Sequence, residues 1–116
     1  MIDDSDDARE MLAAALHLEG FAVQEARDGR EGVERAVKSL PDIIITDLRT
    51  PVMDGHEAIR RLRADQRTHR IPIIACSGEE RAGTEYIAAD VFVPKPFPLD
   101  VLLLEVRVLL RRREAA

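Results

Sequence analysis

Five polar residues whose types suit phosphoryl chemistry stand at the ends of short apolar runs. They are Asp3, Asp4, Asp47, Ser77 and Lys95. In an open parallel sheet, ligands bind beyond the carboxyl ends of the strands, where the strand order reverses. If these apolar runs are the strands of such a sheet, then carboxylates, a hydroxyl and an ammonium group converge on one edge.

These side chains favour transfer of a phosphoryl group to a carboxylate. Clustered carboxylates repel one another, and Mg²⁺ offsets that repulsion by binding one or two of them together with water. A lysine ammonium and a serine hydroxyl suit the oxygens of a phosphoryl group. An aspartate is then a competent nucleophile. Any one such residue could instead cap a helix, as Asp4, Ser5 or Asp54 would, but five together at strand ends favour the chemical interpretation.

The elements that would position these residues follow an alternating pattern. Short β-branched runs alternate with helical segments, which is typical of a parallel sheet with crossover helices. Strands are predicted at 21–26, 42–47, 71–77 and 91–95, with the first strand of the sheet reduced to the residues around Ile2. Helices are predicted at 6–19, 29–40, 55–66, 79–89 and 98–113. The product is a three-layer α/β/α sandwich.

Composition limits the kind of protein. The 116 residues fit one domain, and the formal net charge of -5 argues mildly against non-specific binding to nucleic acid. The single cysteine excludes an internal disulfide, which favours a reducing compartment. No apolar run reaches the roughly 18 residues of a membrane span, so we expect a cytoplasmic protein.

Four motifs together resemble the receiver domain of bacterial two-component response regulators. They are the acid pair Asp3-Asp4 followed by Arg9, DLRTPVMDG (47–55), ACSG (75–78) and VPKPF (93–97). The resemblance is to chemotaxis-regulator-like domains and covers residues 1–116. It implies an α/β, flavodoxin-like, doubly wound parallel sheet of five strands in the order 2-1-3-4-5, with about five helices.

The resemblance also implies a role for each matching residue. Asp47 would accept the phosphoryl group, and Lys95 would pair with Asp47 and then with the phosphate, with a cis bond to Pro96. Ser77 and Phe92 would be the switch hydroxyl and the switch aromatic. Mg²⁺ would be held by the side chains of Asp3, Asp4 and Asp47 and by the backbone carbonyl of Arg49. Access to the phosphate would be set by Arg49, Gly78 and Glu79.

We therefore expect a phosphorylation switch in two-component signalling, with phosphoacceptor and self-dephosphorylation chemistry but no metabolic reaction. Its donor would be a sensor histidine kinase or a phosphotransfer protein. Its output would be a downstream protein or a homodimer, through the face of the fourth helix, fifth strand and fifth helix, with no membrane and no direct nucleic acid. One alternative is a pseudo-receiver scaffold that does not switch. A small phosphatase ranks last, because Arg49 stands where that enzyme would have a second acid.

The sequence departs from the family at the first strand, of which only Met1 and Ile2 precede the acids. This strand lies between the second and third, so its loss would leave a gap in the sheet. Three explanations are open. The natural start of the chain lies upstream, the short stub of the strand around Ile2 pairs for two or three residues, or a partner chain supplies the missing pairing.

Two helices also differ from the expected pattern. The predicted fourth helix is about one turn shorter than the family's and contains Gly83. The fifth carries two apolar stripes, where a soluble helix usually carries one. The second stripe either lies in a groove beside the fourth helix or forms a partner interface. The expected core stripe is Leu99, Leu102, Leu103, Val106 and Leu110, and the second stripe is Val101, Leu104 and Val108.

Overall fold

The structure, a computed structural model, describes residues 1–3, 5–48, 53, 55–77 and 88–115. Four helices and three strands are assigned within these residues. In chain order they are α1 (Asp6–Leu18), α2 (Gly29–Ser39), β1 (Ile44–Asp47), α3 (Gly55–Ala64), β2 (Ile73–Ser77), β3 (Val91–Pro94) and α4 (Leu99–Ala115). The predicted fifth helix is α4. The predicted helix at 79–89 falls outside the described residues except for Ala88 and Ala89, which are not helical.

The strands form a parallel sheet in the order β1-β2-β3. Ile44 aligns with Ile73, and Ile74 aligns with Val91. Two isolated parallel bridges, Ile2 to Thr46 and Ile2 to Ala26, place Ile2 between β1 and the segment around Ala26. This arrangement agrees with the expected order 2-1-3-4-5.

The short stub at the chain start is hydrogen-bonded on both sides. Ile2 donates its N–H to Ile45 and accepts from Asp47, each at 2.8 Å. Toward the other side, the carbonyl of Ala26 accepts from the Asp3 N–H at 3.0 Å, and the Ala26 N–H donates to Met1. A Cβ atom at Gly32 would overlap the Ile2 side chain, which would have to shift to make room. The structure therefore shows that the stub pairs, whereas an upstream natural start and pairing by a partner chain stay predictions.

The prediction of a strand across 21–26 is wrong for most of its length. Only Ala26 makes a bridge, and residues 21–25 have no strand assignment. The physical reason is that a ladder needs a neighbour, and the stub reaches only as far as Met1. In its place lies a cavity of about 510 Å³ between this segment and residues 41–45. Phe21, Val23 and Ile43 are among the residues that line it.

Two hydrophobic clusters cover the two faces of the sheet. One joins α2 and α3 to Ile44, Ile73 and Ala75, and the other joins α1 and α4 to Ile45, Ile74 and Cys76. This is the predicted three-layer arrangement. It explains why the strands are apolar at successive positions.

The helices differ in which residues they turn toward the sheet. In α3, Ala58, Ile59 and Leu62 are buried. In α1, by contrast, Met11 and Leu18 are 74% and 89% exposed, because the helix turns the face of Ala13 and Leu16 inward.

In α4, the predicted core residue Leu99 is 42% exposed, while Leu109 is buried. Leu99 opens the helix, and Leu109 continues the buried positions Leu102 and Val106 at helical spacing. Within the predicted second stripe, Val101 and Leu104 are exposed.

Candidate phosphoacceptor site

Two carboxylates and one ammonium meet at the carboxyl edge of the sheet. The Lys95 Nζ donates to Asp47 Oδ2 at 2.8 Å and to Asp3 Oδ2 at 3.2 Å. The Asp3 and Asp47 side chains are only 10% and 12% exposed, and that of Lys95 is 31% exposed. Burial alone would lower the pKa of Lys95, but the hydrogen bond and charge of Asp47, together with Asp3, outweigh it and raise that pKa. The lysine is therefore a fixed cation at neutral pH.

The backbone places both sides of this ion pair. Asp47 ends β1, and the next N–H, of Leu48, donates to the carbonyl of Cys76 at 2.9 Å. Lys95 follows β3, and its N–H donates to the carbonyl of Ser77 at 2.8 Å. The Lys95–Pro96 peptide bond is cis, as expected. These bonds tie three strand ends together below the charged groups.

A glycine is required close to Asp47. The N–H of Gly55 donates to the carbonyl of Leu48 at 3.0 Å, where α3 begins. A Cβ atom at Gly55 would lie 2.5 Å from the Asp47 carbonyl oxygen. The glycine of the segment 47–55 therefore lets the helix start pack against the strand end that carries Asp47.

Asp3 is held from several directions at once. Its Oδ1 accepts from the Ser5 N–H at 2.9 Å, and Ser5 caps α1 by accepting from Ala8. Its backbone carbonyl accepts from the guanidinium of Arg9 at 2.8 Å. Sequence reasoning noted Arg9 only as part of a motif and gave it no role. The feature of the sequence that could have indicated a role is the position of Arg9 in the first turn of the helix that follows the acid pair.

Ser77 and Phe92 lie toward the opposite face of the sheet from the ion pair. Side chains alternate along a strand, and Ser77 is two residues after Ala75, which belongs to the cluster of α2 and α3. Phe92 aligns with Ala75 across the ladder and packs against that same cluster. Ser77 is buried and Phe92 is half-buried. The two residues predicted to form the switch thus share one face.

Four predicted site residues, Asp4, Arg49, Gly78 and Glu79, lie outside the described residues. The expected metal contacts of Asp4 and of the Arg49 carbonyl, and the expected gating of access by Arg49, Gly78 and Glu79, stay predictions. The expected helix cap at Asp54 lies outside as well.

The donor set fits a hard divalent cation. Asp3 and Asp47 direct one carboxylate oxygen each at the same ammonium group, so their negative charges already lie close together. Mg²⁺ binds through one or two carboxylates and keeps several waters. Within the described part of the chain, no group of three acidic, histidine or cysteine side chains is gathered around one point. Two carboxylates suffice for Mg²⁺, and Asp4 would add a third.

An open parallel sheet with aspartates and a lysine at its carboxyl edge is the arrangement expected of a receiver domain, and comparison with known proteins identifies the same family. The sequence model of the response regulator receiver domain matches residues 1–107. The chain therefore belongs to the response regulator receiver domain family.

Solved structures show the same fold. A Vibrio cholerae chemotaxis protein, CheY4, has a TM-score of 0.86 at 30% identity, covering 93% of each chain. The receiver domain of a signal transduction histidine kinase from Syntrophus aciditrophicus has a TM-score of 0.89 at 31% identity, covering 95% of this chain and 86% of that one.

Curated relatives include longer proteins. The DNA-binding dual master transcriptional regulator RpaA of Synechocystis is 35% identical over 98% of this chain and 49% of its own length. The response regulator MprA of Mycobacterium leprae is 36% identical over 96% of this chain and 50% of its own length. The chain thus spans about half the length of these relatives. Among the described residues, no helix is long and apolar enough to cross a membrane.

Proposed function

We propose that this receiver domain is a phosphorylation switch in two-component signal transduction, with Asp47 as the phosphoacceptor. The observation that carries the proposal is the bridging of Asp47 and Asp3 by the Lys95 ammonium. A half-buried lysine between two carboxylates provides the positive charge that an incoming phosphoryl group needs, and it holds the acceptor carboxylate at the open edge of the sheet.

In the proposed reaction, a carboxylate oxygen of Asp47 attacks the phosphorus of a phosphohistidine on the donor protein. The new O–P bond forms as the N–P bond breaks, and the nitrogen leaves with the bonding electron pair and takes up a proton. Lys95 moves from the carboxylate to the oxygens of the transferred group. Mg²⁺, held by Asp3, Asp4, Asp47 and the Arg49 carbonyl, would supply charge neutralisation for the phosphoryl oxygens.

Switching would follow from the bond between the Lys95 N–H and the Ser77 carbonyl. A shift of Lys95 toward the phosphoryl group is transmitted through this bond to the end of β2, where the Ser77 hydroxyl moves onto the group. Phe92, which lies beside β2 on the same face, then repacks. The result is a shift in the population of two surface arrangements.

The proposed donor is a sensor histidine kinase or a phosphotransfer protein, and the proposed place of action is the cytoplasm. The domain would catalyse only its own phosphorylation and slow dephosphorylation. The output would go to a downstream protein, to an effector domain or to a second copy of the chain. The net charge of -5 supports an output that does not pass through direct contact of this domain with nucleic acid.

Beryllofluoride with Mg²⁺, followed by NMR of the backbone amides, tests the proposal. The wild-type protein should show changed amide shifts around Asp47, Ser77 and Phe92, and Asp47→Ala should show none. Asp42→Ala is the matched control, because Asp42 is an exposed aspartate at the amino end of the same strand region. An unchanged wild-type spectrum, or an equal change in Asp47→Ala, would refute the proposal.

A second candidate is a pseudo-receiver that binds partners without switching. It is favoured by the short stub, because the described part of the strand that carries Asp3 makes its bridges at Ile2 alone. For this candidate we expect a folded protein whose amide spectrum does not respond to Mg²⁺. The same NMR experiment with Mg²⁺ alone separates the two.

A further inference from the structure

The Arg9 guanidinium donates three hydrogen bonds near the site. None of the three goes to the Asp3 carboxylate or to Asp47. The Arg9 side chain is 9% exposed, although it carries a full positive charge. Its Nη1 donates to the Asp3 carbonyl at 2.8 Å, its Nη2 to Asp6 at 2.7 Å and its Nε to Glu25 at 3.2 Å. One guanidinium therefore joins the acid loop, the first turn of α1 and the segment before Ala26.

This contact lies where the strand ladder ends. The ladder holds the stub as far as the Asp3 N–H, which donates to Ala26. The next backbone group is the Asp3 carbonyl, and Arg9 binds it from the side of the helix. Among the described residues of this strand, Ile2 is the bridged one, and the ladder contributes a single hydrogen bond to the backbone of Asp3. The arginine supplies the second anchor.

Electrostatics supports a fixed position for this arginine. A buried guanidinium is costly unless it is paired and hydrogen-bonded, and Arg9 pairs with two carboxylates that lie outside the site, Asp6 and Glu25. Those acids hold the guanidinium in place. Its remaining donor group is then directed at the carbonyl of Asp3.

We propose that Arg9 is a positioning residue for the acidic pocket: by fixing the backbone of Asp3, it sets the affinity of the site for a divalent cation without touching the cation or the phosphoryl group. This inference rests on the proposed function. Groups that orient metal ligands typically contribute about 10- to 100-fold to metal affinity. Loss of Arg9 should therefore appear first in cation binding.

The matched control is Arg63, which also donates to backbone carbonyls but at the opposite edge of the sheet. Its guanidinium binds the carbonyls of His69, Ile71 and Ala88 and the carboxylate of Asp90. Arg63→Ala removes a comparable set of bonds and should lower stability. It leaves the acidic pocket intact, so it separates a general loss of stability from an effect on the site.

The experiment measures Mg²⁺ binding by isothermal titration calorimetry and the unfolding temperature for the wild type, Arg9→Ala, Arg9→Lys and Arg63→Ala. We expect Arg9→Ala to weaken Mg²⁺ binding about 10-fold or more. Arg63→Ala should keep the wild-type dissociation constant at a lower unfolding temperature. Arg9→Lys should fall between the wild type and Arg9→Ala, because one ammonium can bind the Asp3 carbonyl but cannot also span both acids.

A wild-type dissociation constant in Arg9→Ala would overturn the inference and leave the proposed function standing. Equal weakening in Arg9→Ala and Arg63→Ala would also overturn it, because the effect would then come from stability alone. If Arg9→Ala does not fold, Arg9→Lys decides by the same criterion. A wild-type protein that binds no Mg²⁺ would instead overturn the proposed function.

Discussion

At the scale of single residues, Lys95 allows cation binding by the acids to be distinguished from phosphorylation of Asp47. Its ammonium neutralises Asp3 and Asp47 in the resting site, and the proposed reaction needs the same charge for the phosphoryl group. Removing it should therefore affect cation binding and phosphorylation in opposite directions. The cation competes with the lysine for the carboxylates, whereas transfer of the phosphoryl group depends on the positive charge of the lysine.

We predict that Lys95→Ala lowers the rate of Asp47 phosphorylation by acetyl phosphate about 100- to 1,000-fold, while Mg²⁺ binding becomes tighter. The reason is that two buried carboxylates lose their counter-charge and attract a cation more strongly. Calorimetry and the rate of phosphoprotein formation measure the two effects. Lys38→Ala, at an exposed lysine on α2, is the control. Weaker Mg²⁺ binding in Lys95→Ala would contradict this account.

Cys76 offers an independent test of the packing behind the site. Burial raises the pKa of its thiol to about 12, and the Lys95 charge offsets this only in part. Because the thiolate is the reactive form, we predict that a disulfide reagent does not label the folded protein at pH 8 but labels it rapidly in urea. Rapid labelling without denaturant would show that β2 is not packed as described.

Part of the candidate site could be predicted from the sequence, because polar residues that follow apolar strands are easily recognised. Asp3, Asp47 and Lys95 were predicted from the rule that polar residues at strand ends meet at one edge, and the structure brings them together. Arg9 could not be given a role in this way. Its partner Glu25 is 16 residues away in a segment that forms no strand, so no local pattern points to their contact.

At the scale of elements, α2 limits how the stub can sit. Gly32 lies in α2 directly against Ile2, which makes bridges to Ala26 on one side and to Thr46 on the other. In a free helix, alanine would be favoured over glycine by roughly 0.5–1 kcal/mol. At this position, a methyl group must instead push Ile2 away.

We predict that Gly32→Ala lowers the free energy of unfolding by about 1–3 kcal/mol, as overpacking usually does, and weakens Mg²⁺ binding through Asp3. Chemical denaturation and calorimetry measure the two effects. Glu34→Ala, at an exposed position of the same helix, should change neither. A gain in stability in Gly32→Ala would mean that helix propensity decides at this position and that Ile2 is not held as described.

The strands were predicted well where their own residues decide the outcome. β1, β2 and β3 lie within the predicted apolar runs, because strands covered on both faces must be apolar throughout. The strand prediction for 21–26 is wrong for most of its length, because a strand there needs a neighbouring strand to pair with. Within residues 21–26, the stub around Ile2 makes a bridge only to Ala26. In α4, the spacing predicted a helix with two apolar stripes, but the exact buried face depends on where the helix meets the sheet.

At the scale of the whole molecule, the cavity beside the stub is a gap in the sheet. Gln24 accepts from the Met1 amino group at 3.0 Å, and Ile45 accepts from Ile2 at 2.8 Å. In a parallel ladder, a residue directs its N–H and its carbonyl to the same side. The N–H group of Ile45, which lies in β1, therefore faces the gap.

We predict that a short Ile-Val-Val extension before Met1 raises the unfolding temperature, because it would continue the ladder and bury apolar side chains in the cavity. A Gly-Ser-Gly extension of equal length is the control and should have little effect. Differential scanning calorimetry measures both. Equal unfolding temperatures for the two extended proteins would contradict the ladder geometry.

The amino group of Met1 gives this region a pH signature. Burial lowers its pKa from 8.0 to about 6. Between these values the unfolded chain binds more protons than the folded one, so this group makes the free energy of unfolding rise as pH increases from 6 to 8. Acetylation of the amino group should remove this contribution. Denaturation at several pH values measures it, and an identical pH profile after acetylation would contradict it.

The division of the site between the two faces of the sheet has a consequence for how such a domain can diversify. Asp3, Asp47 and Lys95 meet beside the layer of α1 and α4, whereas Ser77 and Phe92 lie on the side of α2 and α3. The bond between the Lys95 N–H and the Ser77 carbonyl joins the two faces through the backbone of the strand ends. Substitutions in the layer of α2 and α3 can therefore change the packing of Ser77 and Phe92 while the side chains of α1 and α4 behind the ion pair stay the same, so the two faces can diversify separately.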